Sequence, residues 1–161
     1  MKWNYSRANV LRGALIYTAG DTVAAVVLGD FLWSRLLGIS LVGASVYAFE
    51  IPNYFAWIEK KLSARSGWQA ALQKTGLAIL YFNPLWIARH LFFIHLFSLD
   101  WAGINWDLLR IGSLSFLANI PISLLGNYLI QNVVRLQWRF FASAVFSALM
   151  AVYYALSVVL F

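Results

Sequence analysis

Apolar residues fall into five long stretches, each close to the length that crosses a lipid bilayer. A membrane-spanning α-helix needs about 20 mostly apolar residues. The pattern therefore predicts an all-α fold, a polytopic transmembrane helical bundle with five spans. The predicted spans are Gly13–Gly29, Leu36–Ile58, Thr75–Phe97, Leu108–Ile130 and Phe140–Val159.

The last stretch also allows a bundle of four spans, in which it lies on the membrane as an amphipathic segment. Residues 140–161 contain no charged side chain, so a full fifth span is the simpler interpretation. Only six residues separate the first two spans. These two helices are therefore expected to form a tight antiparallel hairpin.

The composition excludes an ordinary soluble domain. The 161 residues are 62% hydrophobic and 11% charged, whereas soluble domains average roughly 45–50% apolar and 25% charged residues. A single transmembrane domain covering residues 1–161, embedded in the lipid bilayer, is expected. The chain has no cysteine, which excludes disulfides and thiolate chemistry.

The basic residues predict the orientation of the chain. If the five spans alternate, nine of the twelve Lys and Arg residues fall on one side. The positive-inside rule then places the N-terminus in the cytoplasm and the C-terminus on the far side, with a bacterial inner membrane as the expected location. Because the basic residues lie at span ends, the net charge of +6 does not indicate a nucleic-acid partner. The nine residues are Lys2, Arg7, Arg12, Lys60, Lys61, Arg65, Lys74, Arg135 and Arg139.

Four spans each carry one polar residue at a similar depth. Asp21, Glu50, Asn83 and Asn127 lie eight to ten residues from a basic residue at the same side. At about 1.5 Å per residue, all four are roughly 12–15 Å deep, near the middle of the bilayer. An ionisable side chain in hydrocarbon is costly, so it usually marks a function or a buried partner. The sequence does not fix whether these residues face one another.

Arg89 and Asn119 lie deeper, roughly 22–24 Å from the same side. Arg89 stays charged and needs a partner, which either Asp21 or Glu50 could supply. The remaining acid would be protonated or paired elsewhere, and such carboxyls are the usual proton sites of transporters. An ion pair that only locks helices together is the other interpretation.

All three prolines lie inside predicted spans, at Pro52, Pro84 and Pro121. Each proline frees a backbone carbonyl one turn earlier. Interrupted membrane helices are tolerated where protein or a water-filled cavity satisfies such groups. Pro52 and Pro84 stand next to Glu50 and Asn83, the arrangement typical of transporter binding sites.

No pattern of residues points to catalysis or to a cofactor. His90 and His95 are five residues apart and so do not share a helix face as metal ligands would. The sequence contains no zinc, phosphate-loop or nucleophile motif. We therefore expect a protein that is not an enzyme and that holds neither a cofactor nor a metal.

Several short motifs resemble the bacterial L-alanine exporter family of small inner-membrane proteins. The similar pieces are Asp21–Ala24, Ser34–Leu36, Ser66–Trp68, Tyr81–Pro84, Asp100–Trp101 and Asn119–Ser123 with Gly126 and Tyr128. The resemblance covers about two thirds of the chain and implies export of a neutral amino acid. The family has four spans and a Gly-x-x-x-Gly pair in the fourth, where this chain has Gly126 but Ile130.

A sparser set of motifs is similar to the peroxisomal and mitochondrial small-channel family. These motifs are Gly13-Ala14-Leu15, Gly20-Asp21, Pro84, and Pro121 with Asn127-Tyr128. This resemblance extends over the whole chain. It implies a pore for small solutes rather than a coupled exporter.

The residues and the resemblance together predict a transporter that exports a small polar solute, such as L-alanine, with proton coupling as part of the hypothesis. Asp21 and Glu50 would be proton or amino-group sites, and Arg89 would balance charge or hold a carboxylate. Asn83, Asn119 and Asn127 would hydrogen-bond the substrate. The alternatives are a channel-like pore and a non-transporting accessory subunit of a membrane complex. The expected partners are the bilayer, the solute, and a second copy or a larger assembly.

Overall fold

The computed structural model describes residues 3–160, with side chains described for residues 3–152. Over this part of the chain the structure contains helices and no strand. The helices are α1 (Arg7–Leu28), α2 (Trp33–Val42), a π-helical segment (Gly43–Tyr47), α3 (Ala48–Lys61), α4 (Gly67–Tyr81), α5 (Pro84–Phe97), α6 (Asp107–Asn132) and α7 (Leu136–Leu160).

These elements form five helical spans, and the all-α transmembrane fold predicted from the sequence is confirmed. The second span joins α2, the π-helical segment and α3, and the third joins α4 and α5. The first four spans are long and apolar enough to cross a membrane. The described apolar part of α7, Leu136–Val152, is shorter than these four.

Contacts along α7 show that it is packed into the bundle. It begins beside the first turns of α1, where Arg12 donates to the Gln137 carbonyl at 3.4 Å. About three turns further along, Gly20 of α1 lies directly against Ala148. The two helices therefore run in the same direction, as the first and fifth spans of an alternating bundle must.

Local sequence signals determine where the first hairpin turns. Ser6 caps α1 by accepting from the Asn9 N–H, and Gly29 ends the helix in the left-handed conformation at φ 75°. That conformation costs glycine little, which is why glycine commonly follows a helix C-terminus. The second span begins only four residues later, at Trp33, so the two helices must be neighbours.

A π-helical segment interrupts the second span between Gly43 and Tyr47. One extra residue in such a turn rotates the following side chains by about 100°. Two hydroxyls bond to carbonyls of this region, since Ser45 donates to Leu41 at 2.6 Å and Tyr5 donates to Ala44 at 3.0 Å. The segment ends at Tyr47, which is fully buried in the core.

The third span is broken at Phe82 and Asn83. Asn83 caps α5, with its side-chain oxygen accepting from the Trp86 N–H at 3.0 Å and Pro84 in the first helical position. Its side-chain nitrogen donates to the Leu80 carbonyl, which Pro84 deprives of its usual partner. Pro52 and Pro121 instead lie inside α3 and α6, which continue past them.

The outside of the bundle is strongly apolar. Leucines on α1, α2, α4 and α6 remain more than half exposed along the length of these helices. In water such a surface would drive association, whereas in a bilayer it faces lipid. The exposed leucines include Leu15, Leu37, Leu41, Leu80, Leu114, Leu117 and Leu125.

Candidate functional site

Asp21 is paired with Arg35 rather than with Arg89. The Arg35 guanidinium donates to both carboxylate oxygens of Asp21, at 2.6 and 2.8 Å. The two side chains are only 3% and 9% exposed. The pair joins α1 to the beginning of α2 and so holds the first hairpin closed from inside. Arg35 is the last residue of the connection between the first two predicted spans, so the sequence alone did not indicate it as a partner of Asp21.

Glu50 is the partner of Arg89, one of the two possibilities predicted from the sequence. The Arg89 guanidinium donates to both carboxylate oxygens, at 2.7 and 3.0 Å. Tyr81 adds a third hydrogen bond, from its hydroxyl to Glu50 at 2.8 Å. This cluster joins the second span to both halves of the broken third span. Its two charged side chains are each 34% exposed, far more than those of the Asp21–Arg35 pair.

Two buried donors beside the Glu50–Arg89 pair lack a partner within the described protein. They are the Nε–H of Arg89 and the indole N–H of Trp86. The two residues are three positions apart on α5 and therefore share a face of the helix. Both residues also lie near the Tyr47 ring. Its centre is 5.4 Å from the centre of the Trp86 ring and 5.8 Å from the guanidinium carbon of Arg89.

Tyr47 and His90 fill the space next to these groups. The Tyr47 hydroxyl and His90 Nδ1 are 2.9 Å apart. His90 stacks on Trp86 with ring centres 5.7 Å apart, and the Tyr17 ring lies 4.7 Å from that of Tyr47. The rings of Tyr17, Tyr47, Trp86 and His90 therefore pack together in the interior, with polar atoms at their edges. Since His90 follows Arg89 directly, its place here could have been suspected from the sequence.

Helix α6 carries a polar stripe of residues four apart. Its members are Asn119, Ser123, Asn127 and Gln131. Asn119 donates to the Ser123 hydroxyl and to the Met150 sulfur, whereas Asn127 donates to the Ser123 carbonyl. The side-chain oxygens of both asparagines and the side-chain nitrogen of Gln131 are buried without a partner in the described protein.

The four residues predicted at one depth do not form a single hydrogen-bonded cluster among the described side chains. Asp21 and Glu50 belong to separate ion pairs. Asn83 uses both ends of its amide at the helix break, and Asn127 bonds within α6. Asn119 lies against α7 through Met150 rather than beside Arg89.

A further ion cluster joins three helices where α3 ends. The Glu59 carboxylate accepts from Lys74 at 3.0 Å and from Arg139 at 2.7 Å. Arg139 also donates to the Val134 carbonyl. This contact brings the end of α3, the middle of α4 and the start of α7 together on the side of the molecule that carries most basic residues. We call this side the basic end.

One loop carboxylate at the opposite side of the molecule is held by local contacts. Asp100 accepts from the Gly103 N–H at 3.1 Å and lies 2.9 Å from His95 Nδ1. The hydrogen bond from the Gly103 backbone, and to a smaller extent the one with His95, hold the pKa of Asp100 below its usual value. Asp100 is exposed and lies apart from both ion pairs inside the bundle.

Comparisons with known proteins identify no relative of this chain. No family model, no curated protein and no solved structure matches it. A functional proposal therefore has to rest on the geometry of the interior and on the resemblances in the sequence.

Proposed function

We propose that the protein is a membrane transporter that moves a small polar solute, with a neutral amino acid such as L-alanine as its substrate. The supporting observation is the Glu50–Arg89 pair, which is half-buried, lies beside a broken helix and has two spare N–H donors next to it. The proposal includes an inner-membrane location and a cytoplasmic N-terminus.

The chemistry of this cluster suits a zwitterion. Glu50 offers a carboxylate to an ammonium group, and Arg89 offers a planar pair of donors to a carboxylate. A zwitterion that binds between them adds no net charge. A cationic or anionic solute would instead leave an uncompensated charge in a medium of low dielectric, which is costly. The spare donors of Arg89 and Trp86 would add hydrogen bonds to the substrate carboxylate.

The unpaired polar atoms of α6 also support the proposal that solute passes through the interior of the bundle. Buried polar groups in proteins are nearly always hydrogen-bonded, to protein or to water. The unpaired oxygens of Asn119 and Asn127 therefore favour a hydrated interior. An accessory subunit that serves only as a structural element would be expected to pair such groups internally.

We expect Glu50→Gln to abolish efflux of labelled L-alanine from vesicles while the protein still inserts. Glutamine keeps the shape of the side chain and removes the charge that would bind an ammonium group or a proton. Glu59→Gln is the matched control, because Glu59 is in the same helix but at the basic end. Efflux lost equally in both variants would contradict a specific role for Glu50.

The variant Asp21→Asn distinguishes two hypotheses, in which Asp21 either lies on the transport path or only stabilises the first hairpin. The sequence-based hypothesis places Asp21 in the path and expects efflux to be lost in a well-inserted variant. The buried Asp21–Arg35 geometry instead supports a role in closing the hairpin. We therefore expect less folded protein but retained efflux per molecule. Efflux with and without a proton gradient shows whether transport is coupled to protons or channel-like.

An accessory role in a larger complex is the second candidate function. In the most apolar 18 residues of the third and fourth spans, only 11% and 17% of the residues are buried, which leaves surface for a partner. This function predicts stoichiometric partners on purification from native membranes. It also predicts no efflux of any solute by well-inserted wild-type protein.

A further inference from the structure

A cavity of about 470 Å³ lies at the basic end, away from the two internal ion pairs. It opens to the surface and is lined by the chain before α1, the first turn of α1, α3 and the start of α7. Phe55 and Phe140 line it and are only 1% and 2% exposed, which closes its inner side. The cavity is thus a separate site rather than part of the proposed path. Its lining also includes Asn4, Asn9, Pro52, Ala56, Arg135, Leu136 and Gln137.

Asn9 supplies an unused polar group to this cavity. Its side chain lines the cavity, and the residue is 6% exposed. Its backbone N–H bonds to Ser6, but its side-chain amide makes no hydrogen bond to any described residue. The Asn9 amide is not among the fully buried unpaired groups of the described residues, so it is accessible from the cavity and free to bind a polar ligand there.

The start of α7 also faces the cavity. The first N–H groups of a helix have no carbonyl within the helix to bond, and the helix dipole places positive potential there. Leu136 and Gln137, the first two residues of α7, both line the cavity. Trp138 completes the first turn by donating its N–H to the Arg135 carbonyl. Such a helix start suits an anion.

The charges around the cavity are positive. Arg135 lines it, and none of its described lining residues is acidic. Arg12 lies beside it, bonded to the Gln137 carbonyl and placed 4.5 Å above the Trp138 ring. The nearby Glu59 carboxylate is already neutralised by Lys74 and Arg139.

We propose that this cavity binds a phosphate group, through the Asn9 amide, the first N–H groups of α7 and the Arg135 guanidinium. The position at a span end makes the headgroup of an anionic phospholipid one source of that phosphate. A free phosphate ion offers the same chemistry. Basic pockets between membrane helices are known to hold lipid headgroups.

The Asn4 backbone keeps the cavity in shape. Its N–H donates to the Asn53 side-chain oxygen at 2.8 Å, and its carbonyl accepts from the Asn53 side-chain nitrogen at 3.1 Å. The chain before α1 is therefore fixed to α3 by two hydrogen bonds within the protein itself. A site organised in advance loses little conformational entropy on binding.

The test compares purified full-length protein in three settings. These are nanodiscs of phosphatidylcholine, nanodiscs of phosphatidylcholine with phosphatidylglycerol, and detergent with inorganic phosphate. We expect phosphatidylglycerol at 100 times its Kd to raise the unfolding midpoint by about 5–10 °C. Native mass spectrometry should show one phosphatidylglycerol retained per protein.

Arg135→Gln and Asn9→Leu should each weaken this binding about tenfold or more, since each removes a hydrogen bond to a charged group. Arg135 is exposed, so its variant folds even if Asn9→Leu does not. Arg65→Gln is the control, because it removes an exposed charge at the same end but away from the cavity.

Each outcome decides the proposal. A midpoint rise with phosphatidylglycerol alone, lost in both cavity variants, supports a lipid headgroup site. The same pattern with inorganic phosphate supports a site for free phosphate. The proposal is overturned if neither ligand binds. It is also overturned if Arg65→Gln loses as much affinity as Arg135→Gln, since binding would then reflect general surface charge.

Discussion

At the scale of single residues, two ion pairs of similar geometry have different surroundings. Asp21–Arg35 is almost completely buried, whereas a third of each side chain in Glu50–Arg89 remains exposed. A buried pair cannot open cheaply, because each charge left alone in low dielectric is heavily penalised. A partly exposed pair can exchange partners with the charged groups of a zwitterion. The difference in burial favours a structural role for the first pair and a solute-binding role for the second.

Removing one member of the buried pair should cost far more than removing both. Asp21→Leu leaves Arg35 unpaired and is expected to lower the free energy of unfolding by about 3–5 kcal/mol. The double variant Asp21→Leu with Arg35→Met should recover most of this loss, because two apolar side chains can pack in the same space. Reversible unfolding in mixed micelles measures both values.

Glu59→Gln serves as a reference for a more exposed ion cluster. We expect a smaller loss of about 1–2 kcal/mol there, because the buried Arg139 keeps a hydrogen bond to the glutamine oxygen. Equal losses for the Asp21 single variant and the Asp21–Arg35 double variant would show that the buried pair does not act as a unit.

At the scale of elements, three local features of the helices determine where the interior side chains lie. The π-helical segment brings Tyr47 into the core, the break at Asn83 separates Tyr81 from Arg89, and Gly20 lets α7 approach α1. Pro84 indicated the break at Asn83 from the sequence alone. The π-helical segment has no comparable signal, because its five residues carry no proline and read as ordinary helix.

Gly20→Leu should weaken the contact between α1 and α7. A Cβ atom at Gly20 would lie only 2.5 Å from the Ala148 side chain and 2.6 Å from its backbone Cα. Overpacking of this kind typically costs about 1–3 kcal/mol. We expect a lower unfolding midpoint and easier proteolysis of α7 in mixed micelles.

Gly76→Leu is the matched control for that variant. Gly76 is also a helical glycine, in α4, and nothing lies within 4 Å of an added Cβ atom. Leucine is the better helix former by roughly 0.5–1 kcal/mol, so this change should be neutral or stabilising. A similar loss of stability in both variants would rule out the α1–α7 contact as the cause.

At the scale of the whole molecule, the arrangement of spans carries a prediction about orientation. With five alternating spans, the two ends of the chain lie on opposite sides of the membrane. The excess of basic residues at one end predicts that the N-terminus is cytoplasmic. α7 has 25 helical residues and runs parallel to α1, which suits a fifth crossing.

Fusions to topology reporters in a bacterial host test this orientation. Alkaline phosphatase joined after Phe161 should be active, because the C-terminus is expected outside. Green fluorescent protein joined after Val134, which follows four spans, should fluoresce in the cytoplasm. An inactive alkaline phosphatase after Phe161, together with fluorescence of green fluorescent protein placed there instead, would mean that α7 does not cross.

The sequence by itself determined the fold class and predicted a depth for each polar residue. Span length and hydropathy depend only on local composition, and depth follows from the fixed rise of a helix. It also limited the partner of Arg89 to Asp21 or Glu50. Only the tertiary structure decided between them, because that choice depends on how each helix is rotated about its axis. Rotation is set by the packing of all the spans together and by the extra residue of the π-helical segment.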